Sequence, residues 1–518
     1  MTGHPGDITP PLPSYAAVAV IGAGTMGSGI ASVAAAAGHP VLLYDADPAA
    51  LERGIALIAG NLDRLVERRK IDAAERDSRL KRIKAVSRPG DLAPAKLVIE
   101  AIVEDLDIKA ALLGEVESAV GADAIVATNT SSLSVTALAA RLRRPDRVVG
   151  MHFFNPAPVL PLVEVVSGHV TGRDVADTIF ATAKAWGKIP VHCRSTPGFI
   201  VNRVARPYYG EALRLVAERA AAPAAIDAVL CEAGGFRMGP FDLMDLIGHD
   251  VNFAVTRSVY DALFQDPRYR PSLVQKDLVD AGLLGRKSGR GFYDYRDGAE
   301  KPAPALAPDG PRPEKVVFEG DLGVAGPLLD LARTAGLSVE TRGGDGVIRI
   351  DGVRLALTDG RTATARAADG DGRTVLFDLA LDYQAASRMC LAAADQAGPD
   401  AAAGAAGFFQ ALGKAVLVID DAPGLIVMRT LAMLANEAAD AVHHGIGTVE
   451  DVDLAMLKGV NYPRGPLAWA EAVGLPQIVA VLDNLADVYG EDRYRTSPLL
   501  RRRALAARPF HSITGSGT

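Results

Sequence analysis

Residues 16–45 read AAVAVIGAGTMGSGIASVAAAAGHPVLLYD. An unbroken apolar run, Ala16–Ile21, enters Gly22-Ala23-Gly24-Thr25-Met26-Gly27, and an Ala-rich stretch follows to Ala37. Gly38 then stops the helix and Val41–Tyr44 supplies a second apolar run, so the order is strand, glycine loop, helix, strand. Gly22, Gly24 and Gly27 stand where phosphate binding needs glycine. The first turns the chain, the second lets backbone N–H groups approach a pyrophosphate, and the third allows close packing of helix on strand. Asp45 closes the second strand, placed to accept bonds from a ribose diol and to repel a 2′-phosphate. That favours NAD over NADP. FAD is the rival dinucleotide, and a glycine turn in an α/β domain that binds nothing is the plain alternative.

Working outward, apolar runs at Leu97–Ala101, Ile125–Thr128 and Arg147–His152 alternate with helical patterns at Ala49–Lys70 and Asp105–Ala119. Strands alternating with helices mean a doubly wound, mostly parallel sheet. At 518 residues the chain is too long for one domain. Its 49% hydrophobic and 23% charged residues are an ordinary globular composition, which rules out disorder throughout. A net charge of −7 excludes a general nucleic-acid binder. Cys193, Cys231 and Cys390 form no CxxC pair, so neither a disulfide scaffold nor a metal site is read. No stretch is long and apolar enough to span a membrane. Residues 1–15, with four prolines, read as a disordered leader. The expectation is a soluble cytoplasmic protein.

After a first α/β domain over 16–192, the spacing turns helical over 193–295. A Pro-rich linker follows at 296–315. Beyond it comes a repeat. Pro197-Gly-Phe-Ile-Val-Asn-Arg203 returns as Pro423-Gly-Leu-Ile-Val-Met-Arg429. Glu211 returns as Glu437, Asp227 as Asp453 and Gly239-Pro240 as Gly465-Pro466, all at an offset of 226. The constant offset implies a second helical copy over 421–518. Between the copies, 316–420 reads as a reduced α/β unit, with strands at Val316–Phe318, Val347–Ile350 and Val375–Leu379. It has no tight Gly-x-Gly turn.

A second constellation is Asn129-Thr-Ser-Ser-Leu133, then Met151-His-Phe-Phe-Asn-Pro156, then Leu162-Val-Glu-Val-Val166. His152 ends a strand at the carboxyl edge, where doubly wound sheets bind ligands. Glu164 sits in an apolar strand, where an isolated charge is costly unless paired or used. An imidazole held by that carboxylate is a general base. A satisfied core histidine and an edge-strand acid facing water are the bland readings.

These motifs, with Glu100-Ala-Ile-Val-Glu104 and Gly289-Arg-Gly-Phe-Tyr293, closely resemble the L-3-hydroxyacyl-CoA dehydrogenase family over residues 16–295. The resemblance implies oxidation of the 3-hydroxyl of an acyl-CoA, with hydride passing to NAD. It implies His152 as catalytic base, Glu164 as its carboxylate partner, and Ser131 and Asn202 as holders of the substrate oxygen. It places Gly22, Gly24, Thr25, Met26, Gly27, Asp45, Glu104, Lys109, Ser131, Asn155 and Lys287 against NAD. Asn61 and Arg68 fall at its CoA contacts, where the family's serine and lysine are replaced. The basic run Arg64, Arg68, Arg69 and Lys70 suits a CoA phosphate; as a bare pattern it is a solvated helix face.

The second copy has Met428 where the first has Asn202, and the reduced unit has no His-Phe-Phe-Asn segment. One active site with structural support from the second half is therefore expected, as an intramolecular pseudo-dimer or within a homodimer. Tyr462 and Trp469 are alternative walls for an acyl tail. The two-copy layout resembles a bacterial branch of the family acting on 3-hydroxyadipyl-CoA, in phenylacetate degradation, or on 3-hydroxybutyryl-CoA. The rival readings are a Rossmann dehydrogenase of a free hydroxy acid, of the L-gulonate type, and a non-catalytic NAD-binding structural protein.

Overall fold

The structure, a computed structural model, describes residues 9–370 and 372–511. Of the expected leader, residues 1–8 lie outside the described residues. Leu12 packs against the first core and its N–H donates to Thr182 Oγ1 at 2.9 Å.

The first sheet has eight strands: β1 (Ala17–Ile21), β2 (Val41–Tyr44), β3 (Ile83–Val86), β4 (Ala95–Glu100), β5 (Ile125–Thr128), β6 (Val148–Phe153), β7 (Leu162–Ser167) and β8 (Ile189–Arg194). Their order is β3-β2-β1-β4-β5-β6-β7-β8. All neighbours run parallel except β6 and β7, which are antiparallel. Helices cover both faces, so the strands read as continuous apolar runs rather than alternating ones. Strand order reverses between β1 and β4, which opens a crevice at the carboxyl edge beside the glycine loop.

A second sheet contains β9 (Lys315–Glu319), β10 (Ser338–Arg342), β11 (Val347–Ile350), β12 (Val353–Leu357), β13 (Thr374–Phe377), β14 (Arg388–Ala393) and β15 (Ala415–Val418). Their order is β10-β9-β11-β12-β13-β14-β15. It has seven strands, four of them (β10, β12, β14, β15) beyond the three expected. The repeat offset of 226 extends into this sheet, since β14 and β15 start at that distance from β7 and β8. Register follows too: His152 faces Glu164 across β6 and β7, and Asp378 N–H donates to Cys390 O across β13 and β14 at 3.0 Å. The reduced unit thus repeats the far half of the first sheet without its glycine loop.

By packing, the chain divides into two compact units: residues up to Arg203 with His444–Val460, and Val204–His443 with Asn461 onward. The second helical copy, expected as one block over 421–518, therefore lends one helix, Val449–Gly459, to the first unit, where it packs on β7 and β8. In the second unit the matching helix of the first copy, Pro223–Glu232, packs beside β14, with Glu232 holding Ser387 Oγ at 2.7 Å and Arg388 at 3.0 Å. The Pro-rich connection is docked rather than loose: Ala307 N–H donates to Val416 O at 2.8 Å and Gly310 N–H to Gln410 at 2.8 Å.

The two copies also exchange buried ion pairs within the second unit. Glu211 of the first copy accepts from Arg493 at 3.0 Å and Tyr494 at 3.0 Å of the second, as well as from Arg429 at 2.7 Å. Glu437 of the second accepts from Arg268 at 3.2 Å and from Tyr269 of the first. An Arg-Tyr pair from each copy thus meets a glutamate of the other. Tyr462 and Trp469, expected as alternative tail walls, pack against Phe236 with ring centroids 5.1 and 5.8 Å away.

Candidate active site

Gly22 has φ of 98°, and a Cβ there would lie 2.5 Å from Ala101 O. A Cβ on Gly27 would lie 1.7 Å from Gly22 O. Both glycines are demanded by backbone. Gly24 differs: a Cβ there would meet nothing within 4 Å, so the space before the helix Thr25–Ala36 is open. The amides of Thr25, Met26 and Gly27 open that helix, where no intrahelical acceptor reaches them and a pyrophosphate can accept from them. Asp45 Oδ2 accepts from Ala23 N–H at 2.7 Å and Oδ1 from Asp47 N–H at 2.9 Å. The carboxylate is fixed to the glycine loop and keeps lone pairs for a ribose diol. The residues fit NAD.

His152 and Glu164 form the second part. Because β6 and β7 are antiparallel and these two residues face each other, their side chains share one face of the sheet. His152 Nδ1 lies 2.7 Å from Glu164 Oε2. An ionised carboxylate only accepts, so Nδ1 carries the proton and Nε2 is the basic nitrogen. Glu164 is fully buried, and its Oε1 accepts from Ile200 N–H at 3.0 Å and Val201 N–H at 2.9 Å. Those amides are aimed by the left-handed turn at Gly198 (φ 77°) and Phe199 (φ 48°). Phe154 and Phe199 pack on the imidazole at centroid distances of 4.6 and 5.7 Å, shielding the pair from water. Asn202 follows Val201 in the short helix Val201–Val204.

The Asn129–Ser132 loop is tied to the same edge. Asn129 Oδ1 accepts from Phe153 N–H at 2.8 Å, beside His152. Glu104 Oε1 gathers the loop, accepting from the Ser131 and Ser132 amides at 3.0 Å each, Thr130 Oγ1 at 2.5 Å and Ser132 Oγ at 2.9 Å. Burial pushes the Glu104 carboxyl up, but the hydroxyls of Thr130 and Ser132 and the charge of Lys109 outweigh it and hold it below the usual range. Lys109, expected against the dinucleotide, is held in an ion-pair cluster. Its side chain is 1% exposed, and the ammonium lies 2.5 Å from the buried Glu100 and 3.3 Å from Glu104. The reason is electrostatic: Glu100 ends β4 inside the sheet and needs a counter-charge. Lys287 belongs to the other unit, where it pairs with Asp250 at 2.6 Å.

Asn61 and Arg68 come together with Thr25 and Asn155 around a cavity of about 640 Å³. The helix Pro48–Glu67 places them: Asp47 caps it by accepting from Ala49 N–H, and Ile58 and Leu62 bury one face. The opposite face carries Arg64, whose guanidinium donates to Asn61 at 2.6 Å. Sequence reasoning passed over two further lining residues, Trp186 and Lys188. Lys188 is buried, donates to Leu160 O at 2.9 Å, and is pushed down from its usual value by burial. It also missed Ile200 and Val201, whose contribution is backbone amides and so leaves no trace in side-chain identity.

A dinucleotide cradle and a carboxylate-held imidazole on one sheet edge are what an NAD-dependent dehydrogenase requires. Family models refine the class: residues 17–196 match "3-hydroxyacyl-CoA dehydrogenase, NAD binding domain", and residues 198–295 and again 424–517 match "3-hydroxyacyl-CoA dehydrogenase, C-terminal domain". Residues 355–423 match "3-hydroxybutyryl-CoA dehydrogenase reduced Rossmann-fold domain". The chain belongs to the 3-hydroxyacyl-CoA dehydrogenase family, and is an NAD-dependent 3-hydroxyacyl-CoA dehydrogenase. It is 47% identical to 3-hydroxyadipyl-CoA dehydrogenase of Escherichia coli K12, over 96% of this chain and 98% of that protein. It is 41% identical to 3-hydroxybutyryl-CoA dehydrogenase of Clostridioides difficile, over 54% of this chain and 99% of the relative. The crystal structure of 3-hydroxybutyryl-CoA dehydrogenase from E. coli K12 superposes with a TM-score of 0.87 at 46% identity, covering 95% of this chain and 98% of that one. Among the described residues no helix is long and apolar enough to cross a membrane.

Proposed function

We propose that the substrate is an (S)-3-hydroxyacyl-CoA with a short tail, 3-hydroxyadipyl-CoA first and 3-hydroxybutyryl-CoA second. The relative sharing the whole two-copy layout at 47% identity, named for the adipyl substrate, supports that order. The superposed crystal structure, that of a 3-hydroxybutyryl-CoA dehydrogenase, supports the second.

His152 Nε2 takes the proton of the 3-hydroxyl as the C3–H bond breaks. Bound NAD supplies the hydride acceptor. Glu164 stabilises the imidazolium that forms, and Ser131 and Asn202 hold the oxygen as it becomes a carbonyl. Glu164 carries this reading: one buried carboxylate fixes the imidazole and, through two amides, the turn leading to Asn202. Thr25, Asp45, Glu104 and Asn155 form the NAD side, with Lys109 acting through Glu104. Asn61 and Arg68 take the CoA. Replacing His152 by Gln is expected to lower kcat at least about 10²-fold, the usual worth of a general base, with NAD affinity kept. Turnover like that of the wild type defeats the assignment. Assaying NAD reduction with both acyl-CoA substrates and free hydroxy acids in parallel ranks the substrates.

The exchange of Glu211 and Glu437 between Arg-Tyr pairs supports an intramolecular pseudo-dimer, the two helical copies standing to each other as two subunits do. The enzyme works in the cytoplasm.

A further inference from the structure

The helix lent by the second copy lies against the residues that hold Glu164. At one end of the segment, Arg194 N–H, closing β8, donates to Ile446 O at 2.8 Å, and Arg194 Nη1 to His444 O at 3.3 Å. Next comes Gly447. A Cβ there would lie 3.0 Å from Ile200 Cδ1 and 3.4 Å from His192 O. At the other end is Gly459, where a Cβ would lie 2.6 Å from Leu162 Cδ2 and 3.1 Å from Val201 Cγ2. Neither approach leaves room for a methyl group without a shift. The two residues approached, Ile200 and Val201, are the two whose amides bind Glu164 Oε1 at 3.0 and 2.9 Å.

We infer that the segment from Gly447 to Gly459 is a positioning element of the catalytic pair, with these two glycines seating Ile200 and Val201 so that their amides hold Glu164 against His152. The inference rests on the reading of His152 and Glu164 as catalytic. The chain of contact is short: Gly459 against Val201, the Val201 amide on Glu164 Oε1, Glu164 Oε2 on His152 Nδ1 at 2.7 Å. Leu162, the nearer neighbour of Gly459, begins β7, the strand that carries Glu164 two residues later. A bulkier residue at 459 therefore presses on both supports of the carboxylate. Second-copy residues thereby act on the reaction without touching substrate or cofactor. Generic interface packing predicts a different result, a loss of stability with the chemistry unchanged.

The test uses the full-length enzyme with Gly459→Ala, Gly459→Val and Gly447→Ala, and Glu450→Gln as an exposed control on the same helix. Misplacing a catalytic group by about 1 Å can lower rate about 10²-fold, so Gly459→Val is expected to lower kcat about ten-fold with KM for NAD unchanged. In a Glu164→Gln background the same substitution is expected to add nothing, because the carboxylate's hold on His152, through which it acts, is already lost. Gly459→Ala combined with Val201→Ala is expected to recover kcat toward the wild-type value. Equal losses in both backgrounds, or wild-type kcat in a folded Gly459→Val, overturn the inference. Should the valine variant not fold, the alanine variants carry the same comparison. If His152→Gln is inactive while Gly459→Val turns over normally, positioning alone fails. If His152→Gln is active, the catalytic reading itself fails.

Discussion

Asp378 stands 226 residues after His152 and does the structural half of Glu164's work. Its carboxylate accepts from the amides of Ile426 at 2.9 Å, Val427 at 2.7 Å and Met428 at 3.0 Å. Ile426 and Val427 are the repeat partners of Ile200 and Val201, so each copy has a buried carboxylate on the same turn. In the second copy that acid occupies the histidine's register position, and Cys390 occupies the glutamate's. The turn keeps its anchor while the base is gone.

Asp378 is fully enclosed, and burial pushes its carboxyl up to about 6 despite the amides that pull it down. An acid raised on folding favours the native state below its unfolded pKa, near 4, and that advantage fades as pH rises through about 6. The stability gap between wild type and Asp378→Asn is expected to shrink by about 2 kcal/mol between those pH values. Denaturant melts at a series of pH values check it; a gap constant with pH refutes it.

Glu211 behaves oppositely. Burial raises its carboxyl, but Arg493 and Arg429 outweigh that and hold it at about 2. Stability from this group is present above about 4.5 and is lost as pH falls toward 2. Glu211→Gln leaves two buried guanidinium groups short of charge and is expected to cost about 3 kcal/mol or more at neutral pH, the difference closing on acidification. Thermal melts of both proteins from neutral pH downward measure it.

The two roles of Glu164 are separable. Glu164→Gln keeps a carbonyl oxygen for Ile200 and Val201 but turns an amide N–H₂ toward His152, forcing the other tautomer. It is expected to lose about 10²-fold or more in kcat with a small change in Tm. Glu164→Ala also orphans both amides and is expected to lose a further 1–3 kcal/mol or so of stability. Equal melting temperatures for the two variants contradict this division.

Asp45 binds the Ala23 amide as well as facing the ribose site. Asp45→Asn retains an acceptor for that amide while removing the charge that repels a 2′-phosphate. The ratio of kcat/KM for NAD over NADP is therefore expected to fall at least about ten-fold, with fold and Tm preserved. An unchanged ratio refutes the ribose role.

Arg68→Glu is expected to raise KM for the acyl-CoA about ten-fold or more, and to leave KM for NAD alone, because it reverses a charge at the cavity Asn61 also lines. Added salt should narrow the difference. Steady-state kinetics at two ionic strengths test both statements.

Much of this was legible because local rules and tertiary demand coincide. The glycine loop, Asp45 and the His152 and Glu164 strands are each fixed by spacing over a few residues. The pairing of Lys109 with the buried Glu100 was not legible, because an ammonium near a ligand edge has the same pattern whether it meets a ligand or neutralises a buried acid. β10, β12, β14 and β15 escaped notice because they are four to six residues long, and β14 in Arg388-Met-Cys-Leu-Ala-Ala393 shows no alternation. The repeat was evident in the helices, where identities persist, and hidden in the sheet, where His152 and Glu164 became Asp378 and Cys390. Exchange of Val449–Gly459 between units leaves no local mark at all.

That lent helix also alters how the enzyme responds to dilution. A buttress supplied by a separate chain is present in proportion to protein concentration, and leaves as the complex dissociates. Here the helix belongs to the same chain as β7 and β8, so the tether fixes its local concentration whatever the abundance of the protein. Duplication also frees the halves from symmetry: a residue altered at 459 enters once, on the side that turns substrate over, and its counterpart at 233 can change independently.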